Sequence, residues 1–271
     1  MRYETLHDGT SIPVIGLGTW NIGGGMSPDR SSDRESIESI RNAIRMGYTH
    51  IDTAQMYGAG HTEELVGRAI KTFPREELFV TTKVWSSDLR KKDVLSGFEG
   101  SLSRLVVDYV DLFLIHWPNP AIPLEETFEA FNELVRRKVV RYVGVSNFSR
   151  AQLREAERLS DAHITTNQVE YNLLNREPER NGVLEYCRKA GIILTAYEPL
   201  GKWSIFSNRA LQELAASSGV SAAQLAINWL LRKPNVITIP KSVDEGHLRE
   251  NLKAVDMELP REVINALDDL A

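Results

Sequence analysis

A short apolar, β-prone stretch followed by a helix-spaced stretch recurs along this chain without a break, and that alternation limits the fold more than any other feature. The apolar stretches are 14–20, 48–52, 78–83, 110–116, 139–146, 164–169, 191–196 and 236–240. They are continuous runs of β-branched and aliphatic residues, as expected of strands buried on both faces. Helical spacing fills the gaps. Ile37, Ile40 and Ile44 stripe the first helix, and Leu124, Phe128, Phe131, Leu134 and Val135 stripe a later one. Residues 61–71, 92–105, 178–189, 244–252 and 261–270 read as further helices, and 210–217 as an extra one. Ser31-Ser32-Asp33 offers a helix N-cap. Ser149-Arg150-Ala151-Gln152 and Ser221-Ala222-Ala223-Gln224 are capping boxes that open two more helices.

Such alternation leaves an open doubly wound sheet or a closed barrel. No Gly-x-Gly-x-x-Gly follows a strand, so the dinucleotide crevice of a doubly wound sheet is not indicated. Eight repeats with no second glycine-rich switch point favour an α/β fold of the (β/α)8 TIM barrel type. Asp8-Gly9 predicts a β-hairpin over residues 3–14, ahead of the barrel, and extra C-terminal helices follow it. No Pro/Ser-rich linker divides the chain, so residues 1–271 are expected to form a single barrel domain.

Composition narrows the function. The hydrophobic share of 42% and charged share of 25% are ordinary for a soluble globular protein. A net charge of −5 argues against a general nucleic-acid or anionic-membrane partner. No secretory leader and no apolar run long enough for a membrane span are recognisable, and the lone Cys187 permits no internal disulfide. A cytoplasmic setting is therefore expected. The histidines have no metal-ligand spacing, so no metal is expected.

In a barrel of this kind the active site lies at the C-terminal ends of the strands. The strand ends here are Thr19-Trp20, Asp52, Lys83-Val84-Trp85, His116-Trp117, Ser146-Asn147, Gln168-Val169-Glu170, Tyr197-Glu198 and Lys241-Ser242. Tyr57 follows Asp52 by five residues. An unperturbed tyrosine has a pKa of about 10 and is a poor acid near neutrality. A buried lysine beside it would favour the phenolate, and that lysine would need a carboxylate of its own. Lys83 and Asp52 can supply both. Taken singly, each residue has a plainer reading: a turn aspartate, a packed tyrosine, a solvated lysine, a core histidine.

Taken together, these stretches resemble the aldo-keto reductase family, in its shorter prokaryotic form without a long C-terminal tail. The matching segments are Gly16-Leu17-Gly18-Thr19-Trp20, Gly47–Ala54, Tyr57-Gly58, Thr82-Lys83-Val84-Trp85, Leu114–Pro118, Gly144–Phe148, Asn167–Tyr171, Ala196–Gly201 and Ile239–Ser242. They span nearly the whole chain in the family's order. The resemblance implies a catalytic tetrad of Asp52, Tyr57, Lys83 and His116. In it Tyr57 protonates the carbonyl oxygen, Lys83 lowers the tyrosine pKa, Asp52 pairs with Lys83, and His116 orients the substrate. It also implies reversible reduction of aldehydes and ketones with NADP(H), with NAD(H) as an alternative cofactor.

By the same resemblance, Ser146, Asn147 and Gln168 hold the nicotinamide carboxamide and Tyr197 stacks on the ring. Thr19, Asp52, Leu200 and Gly201 also contact the cofactor, Lys241 and Ser242 receive the 2′-phosphate, and Glu250 and Asn251 meet the adenine. The family's usual arginine is replaced by His247, and Asp244 and Glu245 would repel a phosphate, so the preference for NADP is expected to be weaker than usual. Trp20, Trp85 and Trp117 match pocket-lining positions, whereas Trp229 reads as core. Short connections after His116 and Tyr197 predict an open mouth with broad acceptance of small carbonyl or alcohol substrates. The chain is expected to act as a monomer. Glu198 stands where the family often has serine.

Two rival readings use the same residues. A cofactor-binding regulatory subunit, resembling the β subunits of potassium channels, would carry an N-terminal extension ahead of the first hairpin. A barrel hydrolase working through Asp52, Glu170 and Glu198 would leave Lys83, Tyr57 and Gln168 without a role.

Overall fold

The structure is a computed structural model and describes residues 1–270, the side chain of Trp203 apart. A hairpin of β1 (Tyr3–Thr5) and β2 (Ser11–Pro13) precedes the barrel. The barrel strands are β3 (Leu17–Gly18), β4 (His50–Asp52), β5 (Phe79–Val84), β6 (Val110–Ile115), β7 (Val140–Ser146), β8 (Ile164–Glu170), β9 (Ile193–Tyr197) and β10 (Val236–Thr238). The helices are α1 (Asp33–Met46), α2 (His61–Ile70), α3 (Lys91–Leu105), α4 (Leu124–Arg136), α5 (Arg150–Leu159), α6 (Glu177–Arg180), α7 (Val183–Ala190), α8 (Arg209–Ser218), α9 (Ala222–Leu231), α10 (Glu245–Val255) and α11 (Arg261–Asp268).

Strands β3 to β10 form one eight-stranded parallel sheet in sequence order. A parallel bridge between Ile15 and Thr238 joins its two ends. Hydrogen bonds from Gly16 N to Thr238 O (2.8 Å) and from Thr238 N to Val14 O (2.9 Å) complete the seam, so the sheet curls shut as the alternation predicts. The first strand is nevertheless much shorter than the 14–20 stretch suggests. At the seam, Gly18 passes so close to the last strand that a Cβ there would lie 2.5 Å from the carbonyl oxygen of Ile239. The lack of a side chain that lets the barrel close also removes the signal of a regular strand.

Both capping boxes form as read, at Ser149/Gln152 and Ser221/Gln224. Two local readings fail. Residues 178–189 do not make one helix. Gly182 adopts a left-handed φ of 75° between α6 and α7, and the Asn181 side chain just before it accepts from the Val183 N–H at 3.0 Å. The Asn-Gly pair is a turn signal that outweighed the helical stripe. Ser32 occupies the N-cap position of α1 but makes no capping bond through its side chain. Trp229 is core, 1% exposed, with its indole N–H donated to Asp268 at 2.8 Å.

Candidate active site

The end of β4 and the end of β5 bring opposite charges together inside the barrel mouth. Lys83 is fully buried, and Asp52 is 1% exposed. The ammonium donates to Asp52 Oδ1 at 2.5 Å, to the carbonyl of Thr53 at 2.9 Å and to the Tyr57 hydroxyl at 3.4 Å. The second carboxylate oxygen of Asp52 accepts from Gln168 Nε2 at 2.8 Å. The Asp52 carbonyl accepts from the Thr19 hydroxyl at 2.9 Å. A buried ammonium without such a partner would be several kcal/mol less favourable.

Tyr57 is carried on the loop after β4, and the backbone leaves it little freedom. Gly58, Ala59 and Gly60 all have positive φ (56°, 52° and 95°) and turn the chain tightly into α2. A Cβ on Gly58 would lie 2.7 Å from the carbonyl of Gly23, so only glycine fits where this loop meets the one after β3. The Gly58 N–H donates to Gly25 O at 2.6 Å, and the Thr62 hydroxyl to Ile22 O at 2.7 Å. Around the phenol stand Trp20, edge-on at 4.9 Å between centroids, and His116, edge-on at 5.6 Å. Trp85 packs edge-on against His116 at 5.1 Å.

Electrostatics refine the roles. Burial pushes the Tyr57 phenol above its ordinary range, and the Lys83 ammonium pulls it back without cancelling the rise. Lys83 thus acts on the phenol in the lowering direction, and desolvation outweighs it. The phenol consequently holds its proton at neutral pH, as a proton donor must. Burial alone would lower the pKa of Lys83, but Asp52 and Tyr57 raise it above the ordinary value, so the ammonium stays charged. His116 is driven down to about 2 by burial and by the nearby Lys83 charge, and is neutral. Its buried Nδ1 has no hydrogen-bond partner.

The remaining sequence-predicted residues, Gly201 apart, line two cavities that share Lys241. The main cleft has a volume of about 470 Å³ and includes Thr19, Trp20, Trp85, Trp117, Ser146, Asn147, Gln168, Tyr197 and Lys241 beside Asp52, Tyr57 and His116. Ser146 donates to Gln168 O at 2.8 Å, Asn147 Nδ2 to Ser146 Oγ at 3.0 Å, and the Tyr197 hydroxyl to Asn147 Oδ1 at 3.0 Å. Asn147 sits just past β7 at φ 64°. A second cavity of about 390 Å³ adjoins, lined by Leu200, Lys241, Ser242, His247, Glu250 and Asn251 among others. Gly201 lies at the start of the 3-10 turn after Leu200, with φ 55°. Lys241 lines both cavities. Among the described residues it makes no ion pair. Partial desolvation lowers its pKa, and no carboxylate offsets that. An anion therefore fits beside it.

The N-terminus of α10 is less open to a phosphate than its position suggests. Asp244 caps it, accepting from the His247 N–H at 2.9 Å. The His247 imidazole is 3.7 Å from the same carboxylate. Arg249 pairs with Glu245 at 2.9 Å. The sequence reading missed Thr53, whose carbonyl binds Lys83, and Met26 and Met56, which line the cleft. Met56 could have been noticed as the neighbour of Tyr57. Met26, in a glycine-rich loop, had no periodic signal.

The model of the aldo/keto reductase family matches residues 14–271. The chain belongs to that family. It is 37% identical over 267 residues to the glyoxal reductase of Bacillus subtilis (strain 168), covering 98% of this chain and 91% of that protein. Among solved structures it is similar to the thermostable aldo-keto reductase Tm1743, crystallised with the inhibitor epalrestat. That match has 52% identity, a TM-score of 0.96, and coverage of 100% of both chains. An aldo/keto reductase from Klebsiella pneumoniae, in complex with NADP and acetate, matches at 34% identity with a TM-score of 0.90, covering 98% of this chain and 93% of that one. The (β/α)8 architecture is thus the family's own.

Two buried histidines make stability pH-dependent. His50 lies in the barrel interior and is lowered to about 4, chiefly by burial, and His116 is lowered to about 2. An unfolded histidine takes up its proton near pH 6.5, whereas these stay neutral in the fold until well below that. Their contribution is therefore complete above pH 6.5 and is lost as pH falls from there. Denaturant unfolding between pH 7 and pH 4.5 should show stability falling with acidity. In His116→Gln the slope should be shallower by about 1.4 kcal/mol per pH unit per missing proton. An unchanged slope would mean that His116 is protonated in the fold.

Proposed function

We propose that this protein is an aldo-keto reductase that reduces aldehydes and ketones to alcohols, reversibly, with Tyr57 as the proton donor. The observation that carries the reading is the buried Lys83 ammonium, held between Asp52 and the Tyr57 hydroxyl at the mouth of the barrel. A hydrolase has no need of that arrangement. No finding favours a regulatory subunit.

The dinucleotide, when bound, supplies the hydride that reaches the carbonyl carbon. The protein's task is the oxygen. Negative charge grows there, and the Tyr57 hydroxyl transfers its proton to it. The phenolate that remains faces the Lys83 ammonium, whose charge stabilises it in a site from which water is largely excluded. Asp52 keeps that ammonium charged and in place, and Gln168 and Thr19 keep Asp52 in place. His116, being neutral, orients the substrate oxygen by hydrogen bonding and adds no competing charge. Ser146, Asn147, Gln168 and Tyr197 are proposed to hold the nicotinamide end, and Leu200, Gly201, Lys241, Ser242, His247, Glu250 and Asn251 the rest of the cofactor. The unpaired Lys241 supports a phosphate at that end.

Trp20 and Trp117 are 38% and 43% exposed and with Trp85 form an apolar rim suited to unspecialised carbonyl compounds. We read the whole chain as one barrel domain acting as a cytoplasmic monomer, which the single buried Cys187 suits.

The direct test follows NADPH oxidation with a reactive aromatic aldehyde. Tyr57→Phe should lose about 10²–10⁴-fold in kcat, the usual worth of a positioned proton donor. Cofactor affinity should stay within about twofold. Turnover by the variant at the wild-type rate would defeat the mechanism.

The acidic cap at Asp244 and the imidazole of His247 in place of an arginine support a modest NADP preference. The kcat/KM for NADPH should exceed that for NADH, and His247→Arg should widen the gap by about tenfold, the value of a charge-assisted contact of roughly 1.4 kcal/mol. A wild type that favours NADH would contradict the preference.

A further inference from the structure

Glu198 is an acidic residue in the cleft to which the proton-transfer scheme assigns no part. It follows Tyr197 directly and adopts φ 51°, a left-handed conformation that is unusual for a residue other than glycine, asparagine or aspartate. The turn is held by its own carbonyl, which accepts from Asn172 Nδ2 at 3.1 Å and from Gly201 N at 2.9 Å. The side chain points into the cleft wall and is 31% exposed. Its buried Oε2 makes no hydrogen bond. Lys202 lies 3.4 Å from that oxygen as an ion-pair partner, but the lysine is itself 74% exposed. Desolvation pushes the Glu198 carboxyl above the ordinary range, Lys202 pulls it down, and Glu170, at the end of the neighbouring strand β8, pushes it up again.

The position of this carboxylate gives it a consequence. Tyr197, Ser146 and Asn147 line the main cleft, and Ser242 and Asn251 line the second cavity. Pro199 lines the first, Leu200 the second and Lys241 both, so a molecule spanning both passes between Lys241 and the turn that starts at Glu198. With the nicotinamide in the first cavity and the adenosine in the second, as proposed above, the diphosphate makes the crossing. Two negative charges then pass Lys241 on one side and, on the other, a carboxylate whose own ion-pair partner is the solvent-exposed Lys202.

We propose that Glu198 sets the affinity and residence time of the dinucleotide. Its charge repels the diphosphate, so the cofactor is held more weakly and leaves faster than it would past a neutral residue. The proposal rests on the dinucleotide assignment above, and concerns binding rather than the proton transfer.

The experiment measures dissociation constants for NADPH and NADP⁺ by quenching of tryptophan fluorescence, and off-rates by stopped flow, with no carbonyl substrate present. Wild type, Glu198→Gln, Glu198→Ser and the charge-keeping Glu198→Asp are compared at low and high salt. Both neutral variants should bind on the order of tenfold more tightly at low salt, mainly through slower release, as expected for removing one repulsive charge at partial screening. The gain should shrink at high salt, and Glu198→Asp should stay within about twofold of wild type. Equal affinity in wild type and whichever neutral variant folds would overturn the proposal. So would a gain that salt leaves untouched, which would mark a packing effect. If wild type binds neither nucleotide, the cofactor assignment fails first and the proposal falls with it.

Discussion

A lysine ammonium sealed inside a barrel mouth is the constraint to which the rest of this site answers. Lys83 has no access to water, so it must find its hydrogen bonds within the protein, and Asp52, Thr53 and Tyr57 provide them. Removing either member of a buried pair of this kind commonly costs about 3–5 kcal/mol, because the survivor is left charged and unpaired. The barrel supplies the geometry. Neighbouring parallel strands place Asp52 beside Thr81, two residues before Lys83, so a side chain from each end can meet over the mouth. The tyrosine is an addition from outside the sheet. It reaches the ammonium because a run of left-handed residues folds the loop after β4 back over the opening.

The same burial that makes Lys83 useful works against Tyr57 as an acid. Desolvation lifts the phenol, and the cation recovers only part of that. The balance suits a group that must keep its proton until charge appears on a neighbouring oxygen and must then release it. His116 illustrates the complementary effect. Placed near the same cation and out of water, it is neutral over the whole working range of pH and can act only through hydrogen bonding. One fixed positive charge thus leads two neighbours in opposite directions, one toward its ionised form and one away from it.

Much of this was legible in the sequence because it depends on strand ends. Strands buried on both faces announce themselves as unbroken apolar runs, and their last residues point to the barrel mouth. Asp52, Lys83, His116, Ser146 and Gln168 were all found in this way. Tyr57 lies on a loop and came from the motif it shares with its family, since periodicity carries no information there. What stayed hidden depends on backbone torsion or on backbone partners. The break at Gly182, the shortened strand at the Gly16–Gly18 seam and the carbonyl of Thr53 leave no trace in a hydrophobic pattern. The net direction of the Tyr57 shift was hidden for another reason. It is a difference between burial and Coulomb attraction, and neither can be sized before the depth of the site is known.

The account stands on the coupling between the Lys83 ammonium and the Tyr57 phenol. Placing a fluorinated tyrosine, a stronger acid than tyrosine, at position 57 brings its ionisation into a pH range that the fold withstands, and fluorine NMR reads it directly. The midpoint should rise by about one pH unit or more in Lys83→Met, and should rise again when the comparison is made in an Asp52→Asn background, which removes the unpaired carboxylate. A midpoint that stays in place or falls on removal of Lys83 would show that the ammonium does not govern the phenol, and would contradict the account.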